Sequence, residues 1–197
     1  MKKSDLPIQN YEIEYNPPYE LRSAELSDTK AIRTMHAQSW LDTYPNEEFG
    51  ISEEWVKERV SHWITTEGLS ESEEHFKGIF NNPEHLYRIA TEGDNVIGFV
   101  HASNIEGEQE LKALYVDKDH KGSGLAQKLM KEVNEWVDKT KPIKLGVAAY
   151  NQRAINFYTK QGFEKLPNSE HLFADKIPTI TMEKKMNCQR NYYGEKQ

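Results

Sequence analysis

Apolar and polar positions alternate along this chain in blocks that change period, and the changes mark the elements. Tyr19 to Ala24 alternates as a short strand. Ser27-Asp28 then predicts the cap of a helix that carries Ile32, Met35, His36 and Trp40 on one side, with Pro45 closing it. Trp55, Val56, Arg59, Val60 and Trp63 predict a second helix over Ile51 to Trp63, and Ser70 to Phe80 a third, stopped by Asn81-Asn82-Pro83. Leu86–Ala90 and Val96–Ala102 flank Glu92-Gly93-Asp94-Asn95 and predict a hairpin. Asn104 to Gln109 is a further polar turn, and Glu110–Val116 an apolar strand. Leu125, Leu129, Val133, Trp136 and Val137 repeat at helical spacing up to Pro142. Ile143–Ala149 is strand-like, Asn151 caps another helix, and Gly162 stands where a left-handed C-terminal cap belongs. Phe163 to Leu166, His171 to Phe173 and Thr179 to Met182 predict closing antiparallel strands.

Strands lead, helices interrupt and hairpins dominate, so the fold class is α/β in the mixed, α+β sense. The expected organisation is a polar N-terminal extension over residues 1–18, a single domain over 19–186 and a disordered polar tail over 187–197. No repeat or linker divides the chain.

Composition narrows the function. The 197 residues suit one domain with a sizeable core. Lys and Arg number 25 against 32 acids, a net charge of −7. That balance argues against nucleic acid as the main partner. The single cysteine, Cys188, allows neither an internal disulfide framework nor a Cys zinc site, and its polar surroundings argue against a catalytic thiol. Met1-Lys2-Lys3 is followed by no apolar run, and no stretch reaches the roughly 20 apolar residues of a membrane span. The expectation is a soluble, cytoplasmic protein with no membrane partner and no metal.

The candidate chemistry lies where the strand Glu110–Val116 meets the next helix. Lys121-Gly122-Ser123-Gly124-Leu125-Ala126 is a short loop opening directly into that helix. Small residues let a ligand approach the backbone, and the free N–H groups of a helix start favour an anion. Two glycines after a strand also occur in plain tight joints. A second segment, Leu145 to Phe163, contains Asn151-x-x-Ala154-x-x-Phe157-Tyr158 and ends in Gly162-Phe163.

Together these two segments resemble the GCN5-related N-acetyltransferase (GNAT) family. The first is similar to its Gln/Arg-x-x-Gly-x-Gly/Ala pyrophosphate loop, with Lys121 in the first place and Ala126 in the last. The second is similar to its strand, Asn-x-x-Ala-x-x-Phe-Tyr helix and Gly-Phe exit. The likeness runs from about Tyr19 to Met186 and concentrates between Glu110 and Phe163. It implies a strongly twisted mixed sheet flanked by helices, with Glu110–Val116 and Ile143–Ala149 as parallel strands splayed around acetyl-CoA. It implies direct transfer of acetyl from acetyl-CoA to a primary amine in a ternary complex, the amine being a small cation such as a polyamine or a peptide or protein amine. A homodimer is among the assemblies the resemblance implies.

The resemblance also distributes roles. Lys121, Gly122, Ser123, Gly124, Leu125 and Ala126 would hold the pyrophosphate. The backbone of Leu114, Tyr115 and Val116 would pair with the pantetheine arm, one N–H polarising the thioester carbonyl; an ordinary buried strand would read the same. Asn151 would add a hydrogen bond to the cofactor beyond its capping role. Tyr158 would be the general acid for the leaving thiolate, and it reads equally as helix core beside Ala154 and Phe157. Glu110 stands where some members carry a catalytic glutamate; a solvent-facing carboxylate, His101 or water alone are the alternatives, with His36 and His62 behind them. Trp40, Tyr44, Trp55 and Trp63, with the acids from Glu47 to Glu74 and the Asn104–Gln109 turn, outline an acidic, aromatic acceptor region. Core tryptophans beside a solvated helix face would give the same pattern. Two rival functions stand beside catalysis: a non-catalytic acyl-CoA sensor on the same fold, and a doubly wound dinucleotide enzyme. The latter would place its glycine loop after the first strand.

Overall fold

The computed structural model describes residues 19–186; the expected extension and tail, and Cys188, lie outside them. In chain order the elements are β1 (Glu20–Ser23), α1 (Thr29–Leu41), α2 (Glu53–Ser61), α3 (Thr66–Lys77), β2 (His85–Glu92), β3 (Asn95–Ile105), β4 (Glu108–Val116), α4 (Leu125–Trp136), β5 (Ile143–Ala148), α5 (Gln152–Lys160), β6 (Glu164–Lys165), β7 (His171–Phe173) and β8 (Ile177–Lys184). One 8-stranded sheet runs β1-β2-β3-β4-β5-β8-β6, with β7 paired to β8. Every pairing is antiparallel except β4 with β5. This is the mixed α/β fold, and a predominantly antiparallel sheet rules out the doubly wound alternative.

The parallel pair holds only over Gln109–Leu111 against Ile143–Leu145. The cause sits in β4. Against β3, His101 opposes Ala113 while Ala102 opposes Leu111, so Lys112 is an extra residue in β4. Such a bulge bends the strand and raises its twist. Beyond it β4 and β5 diverge, and the rest of β4 faces β5 without a ladder partner.

Helices cover both faces. The α4 and α5 side buries Leu125, Leu129, Met130, Val133, Tyr158 and Phe163 against the sheet. Gly98 lets α4 sit close, because a Cβ there would lie 3.1 Å from both Leu125 and the Tyr115 carbonyl. On the other face Ile32, Met35 and Phe76 from α1 and α3 pack on Ile89 and Phe99. Trp40, Ile51, Val56 and Val60 close the end near Ala148 and Ile177. Each fully buried aliphatic side chain contributes about 1.5–3 kcal/mol.

Four details differ from the sequence expectation. Asp28 does not cap α1 with its side chain. It accepts two 2.7 Å bonds from Arg22 and the Glu25 N–H, tying β1 to the helix entry. The second helix ends at Ser61 and passes into a 3-10 turn. The third begins at Thr66 because the Thr65 hydroxyl accepts the Gly68 N–H, a cap at 3.1 Å. And α4 stops at Trp136 rather than Pro142, since Val137 turns extended and Gln109 captures the Asp138 N–H at 2.6 Å.

Candidate active site

The divergence of β4 and β5 opens a cleft of about 660 Å³. One wall is the loop between β4 and α4. Asp117 caps a 3-10 turn over Lys118–His120, and the Ser123 hydroxyl donates to the His120 carbonyl at 2.7 Å. Gly122 and Gly124 adopt φ of +91° and +86°, and a Cβ at either would meet nothing within 4 Å. Glycine is therefore needed for the backbone shape, and the space beyond is open. Lys121, Gly122, Gly124 and Ala126 line the cleft. The Gly122, Gly124, Ala126 and Gln127 N–H groups find no backbone acceptor among the described residues. Ser123 and Leu125 do not line it. Ser123 fastens the loop, accepting the Leu125 N–H at 3.3 Å, while the Leu125 side chain is core.

The opposite wall is α5. The Asn151 side-chain Oδ1 accepts the Ala154 N–H at 3.1 Å, so its NH2 is the group left to donate, and Asn151 lines the cleft. Arg153 lines the same wall, a position the sequence reading did not single out. Tyr158 also lines the cleft. Its ring is wedged edge-on against Phe163 (5.8 Å) and Phe157 (5.4 Å). Its carbonyl accepts the Phe163 N–H, the turn that Gly162 permits at φ +89°. Burial, and then the nearby Tyr44, push the Tyr158 phenol above its ordinary value, so it stays protonated throughout the neutral range.

Leu114, Tyr115 and Val116 form the floor between the walls. Past Leu111 they have no pairing to β5. The Tyr115 hydroxyl lies 2.8 Å from that of Tyr44, which arrives from the segment after α1. Tyr150 in turn donates its hydroxyl to the Tyr44 carbonyl at 2.8 Å. Burial raises both members of the hydroxyl pair.

Glu110 lies at the cleft's other end, ion-paired with Lys112, and its side chain is 46% exposed. The residue is half-buried, between the catalytic glutamate and the solvent-facing carboxylate of the sequence analysis. Lys112, two residues along β4, pairs with it. His101, the alternative base, does not line the cleft. It stacks on Tyr87 (5.1 Å) and sits 3.1 Å from His85, where burial pushes it down to about 4. His36 lies behind Tyr115, accepting the Trp40 indole N–H at 3.0 Å, and burial pushes it down to about 3. His62 is on the surface with Glu71.

The acidic rim does not form. Of the described carboxylates only Asp42 and Glu110 line the cleft, while the acids from Glu47 to Glu74 do not. Trp63 packs on His36 and Arg33, and Trp55 under Arg59 and Lys176, so these tryptophans build the wall behind the site. The stretch expected as a polar turn over Asn104–Gln109 is instead paired strand on either side of Glu106-Gly107, and its Ile105, Glu108 and Gln109 line a second groove of about 470 Å³, which shares Glu110, Lys112, Gly146 and His171 with the cleft. His171 and Phe173, on the β7–β8 hairpin, complete the mouth. No pattern in the sequence placed them there. Among the described residues no group of three His, Cys, Asp or Glu could hold a metal, and no helix is long and apolar enough to cross a membrane.

Residues 29–163 match the acetyltransferase (GNAT) family. An uncharacterized N-acetyltransferase of Methanocaldococcus jannaschii is 29% identical over 100 residues, 46% of this chain. The match spans 44% of that relative's length. The fold superposes on the PaiA N-acetyltransferase of Thermoplasma acidophilum, solved with coenzyme A, at a TM-score of 0.66 and 22% identity, covering 85% of this chain and 98% of that one. It also superposes on a GNAT-family acetyltransferase of Streptococcus pneumoniae at a TM-score of 0.64 and 18% identity, covering 86% and 99%.

Proposed function

The chain belongs to the acetyltransferase (GNAT) family, and on that footing we propose that it moves an acetyl group from acetyl-CoA to a primary amine within one ternary complex. The observation that carries this reading is the meeting of three features on one cleft. These are a glycine loop with open N–H groups, an unpaired strand edge, and a protonated tyrosine. Residues 19–186 would act as one catalytic domain.

The residues divide the work as follows. The backbone from Gly122 to Gln127 binds the pyrophosphate, aided by the α4 dipole and the Lys121 ammonium. Ser123 and Leu125 act only by shaping that loop. Leu114, Tyr115 and Val116 offer backbone groups to the pantetheine arm, and one N–H polarises the thioester carbonyl. The Asn151 amide donates to the same arm. The amine nitrogen attacks the thioester carbon, the C–S bond breaks and the sulfur leaves as thiolate. Tyr158 donates a hydrogen bond to that sulfur. Its upward shift makes it a weaker acid than a free phenol, so its proton follows only as charge develops on sulfur. The amine's own proton leaves through water at the mouth, where Glu110, shared with Lys112, is the nearest carboxylate on β4. No thiol lies among the described residues, and direct transfer from the bound thioester is the reading adopted.

Initial rates of thiol release, with acetyl-CoA and the amine both varied, test this. Direct transfer gives intersecting double-reciprocal lines. Parallel lines would contradict the ternary complex, and no release with any amine would contradict the activity.

A further inference from the structure

Among the described residues the acceptor end of the cleft holds no buried carboxylate to receive a strongly basic amine. A lysine or polyamine arrives as an ammonium and must be neutralised before it can attack. That calls for a carboxylate to hold the cation and a base to remove its proton. The titratable and charged groups facing this end come from four elements. The α1 exit supplies Asp42 and Tyr44, β4 supplies Glu110, Lys112 and Tyr115, α5 supplies Tyr158, and β7 supplies His171. From β5 come Gly146, Val147 and Ala148, which carry no charge.

Among the described residues none of these makes a buried cation site, and the one imidazole, His171, stands exposed on β7 at the mouth with its Nδ1 3.0 Å from the Ser169 carbonyl. Glu110 is already held by Lys112. Asp42 is exposed at the rim and accepts a 3.0 Å bond from Gln38. The interior is three phenols and the ring of Phe173, which lies 5.7 Å from Trp40. Upward shifts hold all three phenols neutral, so they cannot serve as bases. The Tyr44–Tyr115 pair uses one of its two hydroxyl protons internally. One donor and the remaining lone pairs stay free, which suits the N–H of an uncharged amine.

We propose that the acceptor is an amine of low basicity, the free N-terminal α-amine of a peptide, taken up in its neutral form between the Tyr44–Tyr115 hydroxyl pair and the β7–β8 hairpin. This rests on the acetyl-transfer reading above. Peptide α-amines have pKa values of about 7.7–8.0 and lysine about 10.4. At pH 7.5 roughly a third of the former is neutral and about a thousandth of the latter, a difference of a few hundredfold before any contact is counted. The adjoining groove along Ile105, Glu108 and Thr181 is open to the residues that follow such an N-terminus. The groove's two lysines, Lys112 and Lys144, are paired with Glu110 and Glu108, so it offers a polycation no excess of negative charge.

The test uses the full chain, acetyl-CoA and three acceptors at pH 7.5. They are a lysine-free peptide with a free N-terminus, the same peptide N-capped and carrying one lysine, and spermidine. Thiol release and the mass of the product are followed together. The free N-terminus should exceed the capped lysine peptide by about a hundredfold or more in kcat/KM, tracking the neutral fractions. Between pH 7 and 9 the lysine peptide should gain about tenfold per unit, while the N-terminal peptide levels off near 8. Spermidine or the capped lysine peptide reacting as well as the free N-terminus at pH 7.5 would overturn this inference alone. No thiol release with any acceptor would overturn acetyl transfer, and this inference with it.

Discussion

The hydroxyls of Tyr44 and Tyr115 lie 2.8 Å apart, joining the segment after α1 to the floor strand β4. The pair fixes the depth of the acceptor end, and Tyr150 braces it through the Tyr44 carbonyl. Changing Tyr44 to Phe removes one hydroxyl and leaves Tyr115 without its partner. A lost buried hydrogen bond costs about 1–3 kcal/mol. The acceptor KM should rise about five- to tenfold, on that scale, with acetyl-CoA affinity unchanged. Steady-state kinetics beside a cofactor titration separates the two. An unchanged acceptor KM would show that the pair does not touch the amine.

Gly124 holds φ +86° with open space where a side chain would go. A valine there meets no clash but is forced into the left-handed region at about 1–2 kcal/mol or more, being β-branched. Its methyls would point into the space assigned to the pyrophosphate. Gly124→Val should bind acetyl-CoA at least tenfold more weakly while keeping its cooperative melt and circular dichroism spectrum. Equal affinity would separate the loop from the cofactor.

Tyr158→Phe retains the ring packing on Phe157 and Phe163 and deletes only the hydroxyl. General acid assistance is worth about 10²–10⁴-fold at full strength, and a donor that mainly hydrogen-bonds the sulfur supplies less. A kcat lower by about tenfold or more is expected, on the low side of that scale, with acetyl-CoA affinity unchanged. A wild-type kcat would return Tyr158 to a packing role.

His36 contributes to pH-dependent stability. Its imidazole, enclosed by Trp40, Trp63, Phe99 and Tyr115, is pushed down to about 3, whereas the unfolded chain's histidine titrates near 6.5. Between those values the unfolded state binds a proton that the native state refuses. Stability is therefore full above about 6.5 and falls as pH drops, at up to about 1.4 kcal/mol per unit for this one group. His101, pushed down to about 4, acts in the same direction with less weight because its shift is smaller. The urea midpoint should drop from pH 7 to pH 5, and His36→Gln should flatten that drop. A parallel drop in the variant would assign the effect to other groups.

Local chemistry made much of this legible in the sequence. The glycines at 122, 124 and 162 and the Asn151 cap specify turns within a few residues, so their geometry follows from their own neighbourhood. The α4 stripe, Leu125, Leu129 and Val133, placed its buried face for the same reason. Contacts between distant segments were not legible. Gln109 lay in a stretch that reads as a polar turn, yet it is 3% exposed and latches Asp138, Lys141 and Pro142. That latch holds the parallel strands together just before they part. The extra residue at Lys112 leaves no mark in an apolar run, although the strands part beyond it. The acids from Glu47 to Glu74 look like a rim because they are close in sequence, but the turn at Glu47–Phe49 and the helices α2 and α3 that carry them do not bring them to line the cleft.

The most direct measurement is stoichiometric. Purified chain is incubated with acetyl-CoA and an N-terminally free peptide, and free thiol is counted against acetylated peptide by mass spectrometry. One thiol per acetylated peptide, abolished when either substrate is omitted, is the predicted result. Acetyl-CoA that raises the melting temperature while neither thiol nor acetylated amine appears would contradict the catalytic account and favour a sensor built on the same cleft.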